Sequence, residues 1–372
     1  MNLATKPKVA FFLPNLEVGG SEQVAVTLAN EFSRRGIQVD MILAHAHGEL
    51  LQQLHSDVNI VNLNARSFKA SFFPLVSYLK KNQPAALLSW MDFSNIFAIL
   101  AAKMVNPKPF VAIRIPTTLS RNIKPKLKNL IARFLFHFIY PLADAIISVS
   151  GGAAEDLACF AWLPQSKIQV IYNPIISDKM LAQAAQPLSD PWFLPGCPPV
   201  VLAVGRLDPA KDYPTLLNAF ALVRQNMPAN LLILGEGAVR DKLEALVQKL
   251  KLTDSVRIPG LMLNPFPYMS RAAVFVLSSV WEGLPGTLIQ AMACGCPIVS
   301  TDCPSGPSEI LDGGRYGKLV PPGNPSALSE AIIDALENDA PSIPDDWLQQ
   351  YTTTVAVQKY IEALNISNFI NK

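Results

Sequence analysis

Residues 281–302, WEGLPGTLIQAMACGCPIVSTD, combine a Gly- and Pro-rich turn, a short apolar helix and a strand. One carboxylate, Glu282, lies at the mouth of the turn and has no charge partner nearby in sequence. Pro285 suits the first turn of a helix, where its missing N–H costs nothing. Gly286 allows a ligand to approach the backbone closely. The turn alone fits a ligand site and an ordinary strand–helix connection equally well.

The start of this helix has the features of an anion site. We expect the N–H groups of Gly286, Thr287 and Leu288 to be free, with the helix dipole behind them, and a diphosphate is a natural occupant. Gln290 lies about one turn further in, where its side chain would reach a sugar hydroxyl.

A second motif, VGRLDPAKDYPTLLNAF at residues 204–220, follows a predicted strand. Arg206 and Lys211 lie in the loop at the carboxyl end of that strand, on the same sheet edge as Glu282. We expect Asp212 to cap the helix that Pro214 opens. Two cations beside a helix start would neutralise a pyrophosphate and stabilise the charge it gains on leaving. Taken alone, the two cations would be ordinary solvated loop residues.

A third motif, PNLEVGGSEQVA at residues 14–25, places Gly19 and Gly20 after the first strand, with Ser21 as the expected helix cap. The glycines allow close approach to a phosphate or a sugar. They do not form the G-x-G-x-x-G dinucleotide fingerprint.

Length and composition favour a two-domain protein of the cytoplasm. The chain has 372 residues, half of them hydrophobic and 16% charged, which is long for one domain. Five cysteines fit a reducing compartment. The first residues favour a buried strand over a signal peptide. The apolar zone at 130–147 is interrupted by charged residues and a proline, which argues against a membrane span.

The strand pattern predicts an α/β fold of two Rossmann-like doubly wound domains, with ligands at the carboxyl ends of the strands in the cleft between them. A Pro-rich stretch at 186–199 is the expected linker. We predict domains at 1–180 and 181–342, and a helical segment at 343–372 that packs back on the first domain. The predicted strands of both domains are KVAFFLP, QVDMILA, VNIVNL, AALLS, FVAIRI, AIISVS, IQVIYN, VVLAVG, LLILG, SVRIPG, AVFVLSS, PIVSTD and GKLVPP.

Three motifs and the LLILGEG strand end together resemble the retaining family 4 glycosyltransferases, which have the glycosyltransferase-B architecture. The motifs are GGSEQVAVTLANEFSRRG, VGRLDPAKDYPTLLNAF and SSVWEGLPGTLIQAMACGCPIVSTDCPSGPSEIL. The similarity spans residues from about 8 to 338, and the last motif is the most specific.

The resemblance implies a nucleoside diphosphate sugar, first a UDP-sugar and then GDP-mannose, held mostly by the second domain. The implied catalytic residues are Glu282, Arg206 and Lys211, with the last two on the diphosphate. Gly260 and Leu261 would lie near the base, and Gly19 and Gly20 would close on the diphosphate. The remaining residues implied for the donor are Gly283, Leu284, Pro285, Gly286, Thr287, Leu288 and Gln290.

The sequence departs from the family pattern in two places. The second Glu of the family's Glu–seven residues–Glu motif is Gln290 here, which can still hydrogen-bond a ribose. The family often has a His after the strand FVAIRI. Here that region holds Arg114, Pro116, Thr117 and Thr118, so Thr117, Thr118 or the backbone would replace it.

No metal or other cofactor is expected. The sequence has no D-x-D pair to hold a divalent ion against a diphosphate. Cys294, Cys296 and Cys303 lack a nearby fourth ligand for zinc.

Charge is distributed unevenly along the chain. Residues 1–180 carry 18 Lys/Arg and 11 Asp/Glu, whereas residues 181–372 carry 13 and 18. Residues 66–81 and 121–140 mix basic with aromatic side chains, which favours contact with an anionic membrane face over a solvated surface. The residues expected on this acceptor or membrane side are Arg114, Thr117, Thr118, Lys124, Lys126 and Lys128.

We therefore expect a cytoplasmic enzyme, peripheral on the inner face of the membrane, with no nucleic acid partner. It would transfer a sugar to a lipid-linked or polysaccharide acceptor in surface glycan or lipopolysaccharide synthesis. A sugar-nucleotide 2-epimerase would need acid/base residues in the cleft, and the scarcity of His disfavours it. A catalytically impaired scaffold that only binds sugar nucleotide is the other alternative, and Gln290 and the missing His support it.

Overall fold

The computed structural model describes residues 7–122 and 126–367 and divides into two compact units. The first unit comprises the described residues up to Pro174 and those from Thr352 onward, and the second comprises Ile175–Tyr351. Each unit is a parallel sheet flanked by helices, which confirms the prediction of two Rossmann-like domains.

The first sheet has, in the described residues, the strand order β3-β2-β1-β4-β5-β6-β7. Strands β1, β2 and β4 are buried almost throughout, as expected for parallel strands covered by helices on both faces. The strands are β1 (Lys8–Leu13), β2 (Gln38–Leu43), β3 (Asn59–Asn62), β4 (Ala86–Trp90), β5 (Phe110–Ile115), β6 (Ala145–Ser148) and β7 (Ile168–Val170). The helices are α1 (Gly20–Arg34), α2 (Phe72–Asn82), α3 (Asp92–Lys103), α4 (Leu119–Asn122), α5 (Lys126–Ile139) and α6 (Gly151–Ala161).

The second sheet has the order β10-β9-β8-β11-β12-β13 in the part of the chain that is described. Its strands are β8 (Val200–Val204), β9 (Asn230–Leu234), β10 (Val256–Gly260), β11 (Val274–Leu277), β12 (Ile298–Thr301) and β13 (Lys318–Val320). The helices are α7 (Asp178–Ala184), α8 (Tyr213–Asn226), α9 (Arg240–Lys249), α10 (Phe266–Met269), α11 (Gly286–Ala293), α12 (Pro307–Ile310), α13 (Pro325–Glu337) and α14 (Asp345–Gln349). All thirteen predicted strands are present in the two sheets.

The strand order gives each sheet a switch point, where the connections turn in opposite directions. In the second sheet it lies between β8 and β11, which pair in parallel. In the first sheet it lies between β1 and β4. Loops diverge at the carboxyl ends of such a strand pair and leave room for a ligand.

The Pro-rich stretch predicted as a linker, residues 186–199, lies inside the second unit. It is anchored there by Asp190, which forms an ion pair with Arg257 at 2.5 Å, and by Trp192, whose ring lies 4.1 Å from the Arg257 guanidinium. The division between the two compact units falls between Pro174 and Ile175, six residues before the predicted one.

The last helix, α15 (Thr353–Ala363), belongs to the first unit, whereas α14 belongs to the second. Val357, Tyr360, Ile361 and Leu364 are buried in the core that β1, β2 and α1 share. The predicted segment 343–372 is therefore split between the units. Within the described residues, every helix is too short or too polar to cross a bilayer.

Candidate functional site

Glu282 has a charge partner in the folded chain. The Lys211 ammonium lies 2.5 Å from the Glu282 Oε1, and the Ser279 hydroxyl donates to the same oxygen at 2.6 Å. The Lys211 side chain is 19% exposed and that of Glu282 is 13% exposed. The two residues are 71 apart in sequence and meet at the switch point between β8 and β11.

Backbone contacts hold the two loops of this pair together. The Ser278 hydroxyl donates to the Lys211 carbonyl at 2.7 Å, and the Val280 N–H donates to the Ala210 carbonyl at 2.8 Å. The Glu282 N–H donates to the carbonyl of Pro304, in the loop after β12. The charged pair is therefore fixed from three neighbouring strand ends.

Gly205, directly after β8, provides the space that Lys211 occupies. A Cβ at this position would lie 3.0 Å from the Tyr213 hydroxyl and 3.4 Å from the Lys211 Cε. Tyr213 donates its hydroxyl to the Gly205 carbonyl at 3.1 Å. Burial, together with the charges of Glu282 and Asp208, raises the pKa of Tyr213 well above its usual value, so the phenol stays protonated.

Arg206 has a different environment from Lys211. Its side chain is 75% exposed, and its Nε donates to the Asp208 carboxylate at 2.7 Å. An exposed pair of this kind contributes little to stability, and its guanidinium can exchange Asp208 for another anion at low cost. The two predicted cations thus lie in one loop but differ in burial and partner.

The cap predicted for Asp212 does not form. Asp212 precedes α8 with a left-handed backbone, and its carboxylate accepts from the Thr215 hydroxyl at 2.6 Å and not from a helix N–H. Asp208 makes a comparable cap one turn earlier, where its carboxylate accepts from the Ala210 N–H at 2.9 Å. The sequence pattern placed a carboxylate cap in the right loop but at the wrong residue.

At the start of α11, one of the three backbone N–H groups predicted to be free is already hydrogen-bonded. The Leu288 N–H donates to the Pro285 carbonyl at 3.1 Å, so the first turn is tight and this N–H is not free. Among the described backbone hydrogen bonds, none uses the N–H of Gly286 or Thr287. Helix α11 begins at Gly286, and a Cβ there would lie 3.1 Å from the Ile175 side chain.

The side chains of Leu284, Pro285 and Leu288, all implied for the donor, are largely buried and pack within the unit. Leu284 is 8% exposed, Leu288 is fully buried, and Pro285 is buried between them. The Gly283 carbonyl accepts from the Ser305 hydroxyl at 3.0 Å. Gln290 is half-buried on α11.

The loops after β9 and β10 form the adjoining part of the same edge. Gly260 has a φ of +102°, and a Cβ there would lie 2.6 Å from the Glu236 Oε1. Arg240 donates to that carboxylate at 2.6 Å and to the Ile258 carbonyl at 2.6 Å. Leu261 is 62% exposed beside this group and is available to a ligand.

The cysteines do not form a metal site in the described part of the chain, where no cluster of three or more His, Cys, Asp or Glu residues is found. Cys296 and Cys303 are buried. Burial is the main cause that raises the pKa of both thiols to about 12.

In the first unit, α1 begins at Gly20 with Gly19 as its N-cap, two residues before the predicted cap at Ser21. Ser21 is therefore inside the first turn and does not cap it. The Glu22 carboxylate folds over Gly19, because a Cβ on Gly19 would lie 2.2 Å from its Oε2. Gly20 has open space where a Cβ would be.

Two residues predicted for the acceptor or membrane side are buried. Arg114 is 1% exposed and Thr118 is 3% exposed, which excludes their side chains from a membrane surface in this conformation. Thr117 is half-buried. Lys124 lies outside the described residues, as do the side chains of Lys126 and Lys128.

Two polar residues that position the charged pair, Ser278 and Ser279, were not predicted from the sequence. Both directly follow β11, so their place at the carboxyl end of a strand was an available signal. The contacts of Arg114 with Ser21, Asn173 and Tyr360 were not predicted either, since these residues are far apart in the chain.

Two family models match this chain. One, described as Glycosyltransferase Family 4, matches residues 18–179, and the other, described as Glycosyl transferases group 1, matches residues 198–338. A relative from Campylobacter jejuni is 29% identical over 351 residues, 89% of this chain and 91% of that protein. Its name is N-acetylgalactosamine-N,N'-diacetylbacillosaminyl-diphospho-undecaprenol 4-alpha-N-acetylgalactosaminyltransferase.

Solved structures share the fold over the whole chain. The apo form of the lipopolysaccharide outer core galactosyltransferase WaaB has a TM-score of 0.73 at 21% identity, covering 96% of this chain and 99% of that one. Anabaena Alr3699/HepE in complex with UDP has a TM-score of 0.74 at 18% identity, with the same coverage.

The paired charges at the β8–β11 switch point, the two matching family models and the shared fold agree, and the chain belongs to the family 4 glycosyltransferases.

Proposed function

We propose that this glycosyltransferase transfers a sugar, with retention of configuration and without a metal ion, from a nucleoside diphosphate sugar to a lipid-linked glycan acceptor. The donor we expect first is a UDP-sugar. The observation that carries the proposal is the Lys211–Glu282 pair, held at the switch point of the second sheet and shielded from solvent.

The pair suits a leaving diphosphate. A lysine ammonium placed at a sheet edge next to a helix start stabilises the negative charge that develops when a glycosyl–phosphate bond breaks. Arg206, exposed in the same loop, adds a second cation that can leave Asp208 for a phosphate. With these cations, a divalent ion is not needed to neutralise the diphosphate.

Glu282 has two roles in the proposal. Without donor, its carboxylate keeps Lys211 in place and compensates its charge. With donor, the phosphate competes for the ammonium, and the carboxylate becomes free to hydrogen-bond the sugar. Attack from the face of the departing diphosphate retains configuration and needs no protein nucleophile. It requires a stabilised leaving group and an acceptor hydroxyl held close by.

The acceptor class is supported by the Campylobacter relative, whose name specifies transfer to a diphospho-undecaprenol-linked sugar. That protein aligns with nine-tenths of this chain at 29% identity. The Anabaena protein in complex with UDP shares the fold alone, so the choice of UDP remains our prediction.

An exposed apolar surface on the first unit also supports a lipid-linked acceptor. Helix α5 exposes apolar residues along one side, which we name the apolar face of α5. Its members are Leu130, Ile131, Phe134, Leu135 and Phe138, exposed by 47%, 54%, 48%, 37% and 66%. Phe93 and Leu100, on the helix α3 that packs against α5, are also exposed.

An exposed apolar face of this size is unusual for a surface that contacts only water. In the sequence, Lys126 and Lys128 belong to the first turn of this helix, and Lys124 precedes it by two residues. Apolar side chains beside lysines are the combination that inserts into the headgroup region of an anionic bilayer. We propose that α5 binds the inner face of the membrane and brings the first unit to its acceptor.

The proposal is tested by turnover and thermal shift of the purified protein with UDP-, GDP-, ADP- and dTDP-sugars. We expect one nucleotide class to raise the melting temperature, because a bound ligand stabilises the folded state. The same class should support transfer to a polyprenyl-diphosphate-linked sugar in anionic vesicles. A protein that binds nucleotide but never turns over would instead be the scaffold that Gln290 and the missing His favour.

A further inference from the structure

Arg114, at the end of β5, is a buried cation whose described hydrogen-bond acceptors are all neutral. Its Nε donates to the Tyr360 hydroxyl at 3.0 Å, its Nη1 to the Ser21 hydroxyl at 3.1 Å and its Nη2 to the Asn173 Oδ1 at 2.6 Å. It is 1% exposed. Within the described residues, no Asp or Glu forms an ion pair with it, and the Trp90 ring lies 5.9 Å from its guanidinium carbon.

A buried charge with neutral partners is costly, so its surroundings must supply oriented hydrogen bonds. The three acceptors come from segments far apart in the chain. Ser21 follows Gly19 and Gly20 in the first turn of α1. Asn173 immediately precedes the boundary at Pro174, and Tyr360 lies on α15, the segment that follows the second boundary.

We propose that Arg114 is a positioning residue for transfer: its guanidinium holds the first turn of α1 in a fixed register with the two segments where the chain leaves and re-enters the first unit. This inference rests on the proposed function and on the expectation from the sequence that Gly19 and Gly20 close on the donor diphosphate.

Arg114 orients these segments relative to one another and is not needed to attach α15 to the first unit. Val357, Ile361 and Leu364 already bury α15 in the core of the first unit, so α15 stays in place without Arg114. What the arginine adds is a planar fork with fixed angles between its N–H groups, which a lysine cannot reproduce. Burial raises the pKa of Tyr360 despite the adjacent guanidinium, so the phenol is neutral and accepts the Nε–H bond throughout the physiological range.

The consequence for the reaction follows from the position of Ser21. The Nη1–Ser21 bond fixes the turn that carries Gly19 and Gly20, and catalysis is sensitive to small shifts. A displacement of about 1 Å at a substrate-binding loop can cost about 100-fold in rate. Loosening this turn should therefore lower turnover without unfolding the unit.

The test compares Arg114→Met and Arg114→Lys with Arg133→Met. Arg133 is a matched control in the same unit, because its Nε donates to the Phe160 carbonyl at 2.9 Å and its guanidinium lies 4.4 Å from the Trp162 ring. We expect Arg114→Met to lower kcat/KM for the donor about 100-fold, and Arg114→Lys to recover little of it. All the variants are assayed with a detergent-solubilised acceptor, so that binding of α5 to a bilayer does not affect the rate. Arg133→Met should then lower the melting temperature but leave kcat/KM for the donor within about twofold.

A second measurement does not depend on activity. Amide hydrogen exchange should rise together at residues 20–23 and 173–176 in Arg114→Met and stay unchanged there in Arg133→Met. If Arg114→Met does not fold, Ser21→Ala and Tyr360→Phe each remove one acceptor and answer the same question.

The outcomes separate the two claims. Normal kcat/KM in Arg114→Met with a lower melting temperature overturns the positioning role and leaves the proposed function standing. If the parent never turns over any donor, the proposed function fails. In that case unchanged exchange at both segments overturns the register that we assign to Arg114, and a joint rise supports it.

Discussion

The carboxyl edges of the two sheets present cations in opposite ways. In the second unit Lys211 meets one carboxylate, Glu282, in a site that is shielded but still partly exposed. In the first unit Arg114 is fully buried and meets three neutral acceptors. In our proposal a phosphate displaces the carboxylate from Lys211, whereas the acceptors described for Arg114 are all neutral and the side chain is buried. The same fold would then use one cation for ligand exchange and the other to hold its own segments.

The largest expected effect is on Lys211. We expect Lys211→Ala to lower kcat/KM by about 100-fold or more, as for loss of a group that stabilises developing charge. The exposed Lys249 on α9 is the matched control, and Lys249→Ala should leave turnover unchanged. Equal activity in both variants would remove Lys211 from the reaction.

Removing Lys211 also leaves Glu282 uncompensated, so stability must be measured beside turnover. Lys211→Met combined with Glu282→Gln removes both charges at once. We expect this double variant to recover much of the melting temperature lost in Lys211→Ala, since no unpaired buried charge remains. It should recover no turnover. Recovery of turnover with stability would show that only folding was affected.

Glu282→Gln separates the two roles of the carboxylate. The amide keeps the shape but no longer competes with a phosphate for Lys211. We expect UDP to bind at least as tightly as to the parent, while kcat falls by roughly 10- to 100-fold because a charged hydrogen bond to the sugar is lost. Isothermal titration calorimetry and steady-state kinetics check the two halves. Weaker binding with unchanged kcat would contradict the exchange that distinguishes this edge from Arg114.

The next prediction compares membrane binding by an exposed apolar surface of the first unit with that by a surface of the second unit. Phe134→Ser with Phe138→Ser should reduce binding to anionic vesicles by at least about tenfold, because each buried apolar side chain contributes about 1.5–3 kcal/mol. Leu181→Ser, at an exposed leucine of α7 in the second unit, is the control. Removing the charges of Lys124, Lys126 and Lys128 should also weaken binding to anionic vesicles. This loss should be larger at low salt than at high salt, because salt screens exposed charges. Unchanged co-sedimentation of all variants would exclude α5 as the membrane contact.

The smallest effect is expected at Arg206. Its guanidinium is exposed and already paired with Asp208, so solvent screens much of its attraction for a phosphate. We expect Arg206→Ala to lower kcat/KM roughly tenfold, less than Lys211→Ala. Arg224→Ala, near the carboxyl end of α8, is the control, and its kcat/KM is measured in parallel. An effect as large as that of Lys211 would mean that Arg206 turns inward when the donor binds.

Much of the fold was predictable because parallel strands carry their own signal. Each strand candidate is a short apolar run between Gly, Pro or polar residues, and burial on both faces requires that composition. The Pro-rich stretch at 186–199 was wrongly predicted as a linker between the domains. Prolines indicate that regular secondary structure is absent, but they do not indicate that packing is absent. Asp190 and Trp192 tie it to Arg257, a contact across 65 or more residues that no local pattern reports.

The chain's local pattern determined which residues stand at the carboxyl ends of the strands, among them Lys211, Glu282, Gly286 and Arg114. Tertiary structure alone decided which of these residues contact each other: Lys211 pairs with Glu282 across adjacent strand ends, and Arg114 donates to Tyr360 at a separation of 246 residues. The physical reason is that the end of a strand follows from local hydrophobic periodicity. Burial and ion pairing depend instead on which strands are neighbours in the folded sheet.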